Sequence, residues 1–294
     1  MRVTEKMIFE SSIAQTGRAR ESLDQAQSEV ASGTRVQHPG DDPVAAALSI
    51  GHTVDKARFT AVGDSAQKAV DELNAADNAL SGITTVADRA QVIATQFGND
   101  SYSDSDRTSA SAEVDGLFTE ALSLLNTTYG GRYIFGGYKD DAAPFDSTGT
   151  YLGDDNTRTV EVAPGLFQPA SLDANTIVKG ANGGVDLLQT LSDLSKSLKA
   201  NDGAGVRTGL NNVNTVVNQL AAGRTQAGMA QDAFQTAVTT AQTAVSDETV
   251  KIGKLLDADV IDASTRLASA QYALNATLTA SAKTLSMSLA DKLP

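Results

Sequence analysis

Along residues 59–97, small or apolar side chains recur at Phe59, Val62, Ala66, Ala69, Leu73, Ala76, Leu80, Ile83, Ala87, Ala90, Ala94 and Phe97. Steps of three and four alternate without a break, which is the 3.5-residue repeat of a coiled-coil seam. The spacing predicts one helix, about 58 Å long at ~1.5 Å per residue. Alanine dominates the seam, so a partner helix must approach closely. A second seam runs Val206, Leu210, Val213, Val217, Leu220, Arg224, Ala227, Gln231, Phe234, Val238, Ala241 and Val245. Its polar intruders, Arg224 and Gln231, either fix register or mark where a partner helix ends. Two shorter helices follow from Ala110, Val114, Leu117, Ala121 and Leu124, and from Leu187, Leu191, Leu194 and Leu198. The turn "GNDSYSDSD" offers Ser103 and Asp106 as a capping pair, and "NDGAG" breaks the chain at 201–205.

Both ends carry weaker stripes. The first has Ile13, Leu23 and Val30, with Met7 and Phe9 ahead of them. The last shifts phase near Leu255–Asp257 and continues through Leu256, Val260, Ala263, Leu267, Ala270, Leu274, Leu278, Leu285 and Leu289. Two amphipathic helices, one from each end, are natural partners. Alone such a pair is marginal, so it is expected to be mobile in a free monomer and ordered on assembly. Ile13, Leu23, Val30, Leu267, Leu274, Leu278, Leu285 and Leu289 are the expected assembly interface.

Between the first helix and the long seam lies "SGTRVQHPGDDPVAAAL", residues 32–48. Ser32-Gly33 ends a helix, with Gly33 suited to the left-handed position after it. Pro39-Gly40 makes a turn, Asp42 caps the next helix and Pro43 fits its first position. Arg35 and Asp41 complete this elbow motif. A different texture occupies 129–182, which holds seven of the fourteen aromatics: Tyr129, Tyr133, Phe135, Tyr138, Phe145, Tyr151 and Phe167. "RYIF", "TRTVEVA" and "NTIVKG" read as short strands between turn residues. In "GGRYIFGG" the glycines Gly131, Gly136 and Gly137 permit tight turns, while Tyr133 and Phe135 alternate with Arg132 and Ile134 to give two faces. Pro144 and Phe145 close this insert motif. The fold class expected is mainly α, an elongated antiparallel helical bundle or coiled-coil rod with paired terminal helices and a small β-rich insert. The expected domains are a terminal coiled-coil segment (1–43 with 246–294), a helical rod (44–128 with 183–245) and the insert (129–182).

Composition supports a thin core. Aromatics make up 5% of the 294 residues and tryptophan is absent, so small side chains must close the interior. There is no cysteine, which removes disulfides, thiolate metal sites and a cysteine nucleophile. The N-terminus has no apolar core long enough for a cleaved signal peptide, and no run of about 18 apolar residues appears. A soluble protein that does not enter membranes is expected, reaching any extracellular place without a cleaved signal. Net charge is −13, which opposes nonspecific binding to nucleic acid. The ends are near neutral: residues 1–35 hold five basic and five acidic side chains, and 251–294 hold five and four. The middle holds thirteen and twenty-seven. Neutral ends can pack against copies of themselves, whereas an acidic middle stays solvated.

Nothing in the sequence resembles a nucleophile with its base. His38 and His52 would need to converge with carboxylates such as Asp41 or Asp55 to hold a metal; the reading adopted is ordinary surface histidines. "GGRYIFGGY" lacks the Gly-Lys-Ser/Thr of a phosphate loop, and "DDNTRT" lacks calcium-loop spacing. The acid pairs Asp41-Asp42, Asp140-Asp141 and Asp154-Asp155 sit beside turn residues and read as caps. No catalytic residue, cofactor or metal is expected, so the protein is not read as an enzyme.

The opening "MRVTEKM", the break "SGTRVQHPGDDPVAAA", "LNTTYGGRYIFGGYKDDAAPF" at 125–145 and the closing "YALNATLTASAKTLSMSL" together resemble the flagellin superfamily. "GRYIFGGYKDDAAPF" resembles its hook–filament junction branch rather than the filament subunit. The resemblance implies a structural protein of the bacterial flagellum, exported unfolded through the flagellar type III apparatus, with an export chaperone. It implies assembly with copies of itself, with a neighbouring hook-associated junction protein and with flagellin, at the extracellular hook–filament junction. The filament flagellin itself is the alternative, and a secreted adhesin or enzyme displayed on a helical stalk is a third.

Overall fold

A computed structural model describes the backbone of residues 2–99, 101–163 and 165–290, and side chains from 6–7, 9–99, 101–163 and 165–283. The helices are α1 (Arg2–Ser32), α2 (Pro43–Phe97), α3 (Asp104–Leu125), α4 (Ala174–Ile177), α5 (Leu187–Lys199), α6 (Gly203–Leu256) and α7 (Val260–Ala290). The strands are β1 (Thr128–Tyr129), β2 (Arg132–Tyr133), β3 (Thr159–Ala163) and β4 (Leu166–Pro169). The chain divides into two compact units, Phe59–Thr243 and Met1–Arg58 with Ala244–Pro294, and both α2 and α6 contribute to each.

In the larger unit α2 and α6 run antiparallel. Gly63 faces Ala241 near one end, and the Arg207 guanidinium donates to the Gly98 carbonyl at 2.9 Å near the other. The α2 seam from Val62 to Phe97 is buried throughout, and Ala66, Ala76, Leu80, Ile83, Ala87, Ala90 and Ala94 have no exposure at all. Small side chains at these positions are what let the helices close on each other without voids. Arg224 of α6 pairs with Asp77 of α2: its Nε and Nη2 donate to the two carboxylate oxygens, at 2.8 and 3.2 Å. The Nε2 of Gln231 is buried without a hydrogen-bond partner, and nothing in the packing accounts for it.

Against this pair lie α3 and α5. Val114 and Ala121 are fully buried on α3, as are Leu191, Leu194 and Leu198 on α5. α3 opens with a capping box, in which Ser103 accepts from the Asp106 N–H and Asp106 accepts from that of Ser103. α5 opens on Asp186, which accepts from the Gln189 N–H at 3.1 Å.

Between α3 and α5 the chain builds two antiparallel strand pairs, β1–β2 and β3–β4. Here the structure corrects two expectations. "RYIF" is not a two-faced strand: β2 ends at Tyr133, and Ile134 and Phe135 are both buried, at 3% and 0% exposure. Packing takes the two consecutive residues inward together, which alternation forbids. "NTIVKG" is not a strand either, because Ala174–Ile177 forms α4. Asp173 accepts from the Asn175 N–H at 2.9 Å, so a helix cap overrides the β-branched side chains. Ile177 then seats over Gly223 of α6, where a Cβ would lie 2.7 Å from its Cγ2.

In the smaller unit α1 and α7 pair antiparallel. The end of α1 meets the start of α7 at Glu29 and Arg266, 2.8 Å apart, and the reverse ends meet at Ser12 and Ser281, 2.9 Å apart.

Candidate assembly surface and elbow

The elbow is organised by its two carboxylates. Gly33 takes φ +70°, the left-handed conformation that ends α1, and its N–H donates back to the Glu29 carbonyl at 3.0 Å. Asp41 accepts the N–H groups of His38 and Gln37 at 2.9 and 3.0 Å, which hold its carboxyl below the ordinary aspartate range. Asp42 accepts the Ala45 N–H at 3.0 Å and the Arg35 guanidinium at 3.2 Å, with the same effect on its carboxyl, the backbone N–H being the stronger cause. It caps α2 directly ahead of Pro43, whose missing N–H falls where no helical partner exists. Ser32 bonds to Ser28 and Thr34. Pro39 lies in the exposed turn.

A second chain break lies beside the first. Arg35 and Val36 donate their N–H groups to the Leu256 carbonyl at 2.7 and 3.2 Å, and Ala258 donates to Gly33 at 2.9 Å. Arg35 also reaches the Leu255 carbonyl at 3.0 Å. The α6–α7 junction is therefore stapled to the elbow by main-chain bonds, and Asp259 starts α7 by accepting from Ile261 at 2.9 Å.

The terminal stripe behaves differently from the seam. Ile13, Val30 and Leu278 are exposed at 57%, 39% and 42%, while Leu23, Leu267 and Leu274 are half-buried. The side chains of Leu285 and Leu289 lie outside the described residues. What the α1–α7 pair does bury among described residues is small or polar: Ala26, Glu29, Ala263 and Ala270. Further apolar side chains of this unit also face solvent, including Met7, Phe9, Val260, Ile261 and Tyr272.

The insert motif is a packed hub. Phe135 and Phe145 are buried at 0% and 2% exposure, and Pro144 is buried beside them. Phe145 stacks at a tilt on Tyr151, with ring centres 5.1 Å apart, and exchanges backbone hydrogen bonds with the Asn126 side chain. The Tyr151 hydroxyl donates to the carbonyls of Asp154 and Phe135, and its burial pushes the phenol upward. Gly137, at φ +69°, leaves no room for a Cβ, which would sit 2.4 Å from the Asp154 carbonyl oxygen. Gly131 lies in the β1–β2 turn, where Arg132 and Tyr133 pair with Tyr129 and Thr128.

Two polar pairings were not visible in the sequence. Glu29, 5% exposed, is one half of the α1–α7 ion pair. His52 meets Glu248 of α6, with its Nδ1 2.6 Å from Oε2. Lys251 donates to the other oxygen of Glu248 at 2.6 Å. That ammonium and then His52 hold the Glu248 carboxyl low against its burial. The signal available for Glu248 was its place three residues after Val245, on the continued seam, where a charged side chain needs a partner.

Residues 5–140 match the family model of the bacterial flagellin N-terminal helical region. Flagellar hook-associated protein 3 of Salmonella typhimurium is 32% identical over 164 residues, covering 55% of this chain and 52% of that one. The chain thus spans about half the length of the curated hook-associated relatives it matches, 52% and 49%. A flagellin of Listeria monocytogenes is 28% identical over 231 residues, 72% of this chain and 79% of that one. The solved flagellar hook associated protein-3 of Legionella pneumophila has the same fold, with a TM-score of 0.60 at 14% identity over 69% of this chain and 98% of that one. The resemblance to hook-associated junction proteins read from the sequence motifs holds.

Proposed function

We propose that this chain is a structural, non-catalytic component of the bacterial flagellum that joins hook to filament. It assembles with copies of itself, with a neighbouring hook-associated junction protein and with flagellin, outside the cell, after export as an unfolded chain with the help of a chaperone. The observation that carries this reading is the terminal helix pair. A helix pair that leaves Ile13, Val30 and Leu278 in solvent has a surface that association with other chains would cover. Ile13, Leu23, Val30, Leu267, Leu274 and Leu278, with Leu285 and Leu289 beyond them, form the assembly interface in this reading. The three-part division into terminal segment, helical rod and 129–182 insert assigns contact along the axis to the first. The others carry stiffness and outer surface.

The longer match to a flagellin favours a second reading, in which the chain builds the filament itself. Seeded polymerisation separates the two. The purified junction protein stays monomeric or stops at short rings, and a strain lacking it keeps its hook while shedding flagellin. Long filaments grown from the pure protein would transfer the assignment to filament subunit.

A further inference from the structure

We propose that His52, Asp55 and Glu248 form a binding site for a divalent transition-metal ion of the zinc type. His52 and Asp55 stand three residues apart on α2, and Glu248 approaches from α6; all three belong to the smaller unit. One ligand atom from each lies within 4.8 Å of the other two. An imidazole nitrogen with two carboxylate oxygens is a set that suits zinc and its neighbours, at about 2.0–2.2 Å per bond, and suits calcium or magnesium poorly. Three protein ligands would leave a fourth position for water. The Glu248 side chain is only 8% exposed, so one ligand is already fixed by packing, and His52 is held against it.

Lys251 competes for this site. Its ammonium sits on Glu248 at 2.6 Å, and Asp55 and Asp247 add to the field that raises its pKa behind that hydrogen bond. The Lys251 side chain is 52% exposed, so it can swing into solvent when an ion with twice its charge arrives. In that exchange a ring nitrogen of His52 offers its lone pair to the metal, any proton on that nitrogen passes to solvent, and the contact between α2 and α6 becomes a coordinate clip. It ties the first turns of α2 to the end of α6.

The test uses the full chain and Zn²⁺ or Ni²⁺ alone, titrated calorimetrically and against a chromophoric chelator near neutral pH. The expected result is one ion per chain, with affinity reduced at least tenfold in H52A and in E248Q. K251M, which removes the competing cation and keeps the stem, binds several-fold more tightly. Circular dichroism of each variant checks that the helices are retained. An X-ray absorption spectrum of the zinc-loaded chain should show mixed nitrogen and oxygen neighbours. Affinity unchanged in both H52A and K251M would overturn the assignment, as would the absence of stoichiometric binding at micromolar metal.

Discussion

The α2–α6 seam of the larger unit and the α1–α7 pair of the smaller one are both antiparallel helix pairs with near-heptad spacing, yet they are finished differently. The seam has a second layer, α3 and α5, and on α2 its alanines and leucines from Ala66 to Ala94 are exposed by 3% or less. The α1–α7 pair fully buries a carboxylate and three alanines among its described residues, leaves Leu23, Leu267 and Leu274 half-buried, and exposes Ile13, Val30 and Leu278. Period alone therefore does not say whether a stripe is a core. The deciding quantity is how many layers the same chain supplies.

Leu80→Ala, at a site with no exposure, should cost about 2–5 kcal/mol in denaturant unfolding of the larger unit. Ile13→Ala or Leu278→Ala should shift monomer stability by no more than ~0.5 kcal/mol while impairing assembly. Equal losses would mean that the two pairs are the same kind of structure. Next comes Ala76→Leu, at a fully buried seam position, which should destabilise by roughly 1–3 kcal/mol through overpacking. A melting curve unchanged from the parent would show that the seam is looser than its burial implies. Glu29→Gln should cost about 1 kcal/mol, read as lost amide protection in α1 and α7, because Arg266 keeps Asp262 at 3.0 Å as a second partner.

The smallest effect is acid loosening of the elbow. Asp41 and Asp42 have carboxyls held below their ordinary value of 3.8, so their contribution is complete above that pH. It fades as pH falls through their lowered values. Exchange protection of Gln37, His38 and Ala45 should drop there before the seam melts. Simultaneous loss would assign these carboxylates no role of their own.

The long seams were legible because each position repeats a local rule many times, and the caps at Ser103 and Asp106 were legible because they lie three residues apart. Ile134–Phe135 was not, since burial of two consecutive residues follows from a fold around them rather than from a period. α4 was misread because one cap outweighs several β-branched residues in so short a segment. The His52–Glu248 and Glu29–Arg266 pairings span 196 and 237 residues, and no local pattern announces them.

The main-chain staple at the elbow has a consequence for the order of folding. Residues 33–36 cannot take their final bonds until residues 256–258 are present, some 220 positions later. Closing so long a loop is entropically slow, whereas the larger unit can collapse around contacts nearer in sequence. Main-chain bonds from residues 33–36 thus wait on a segment more than two hundred positions away.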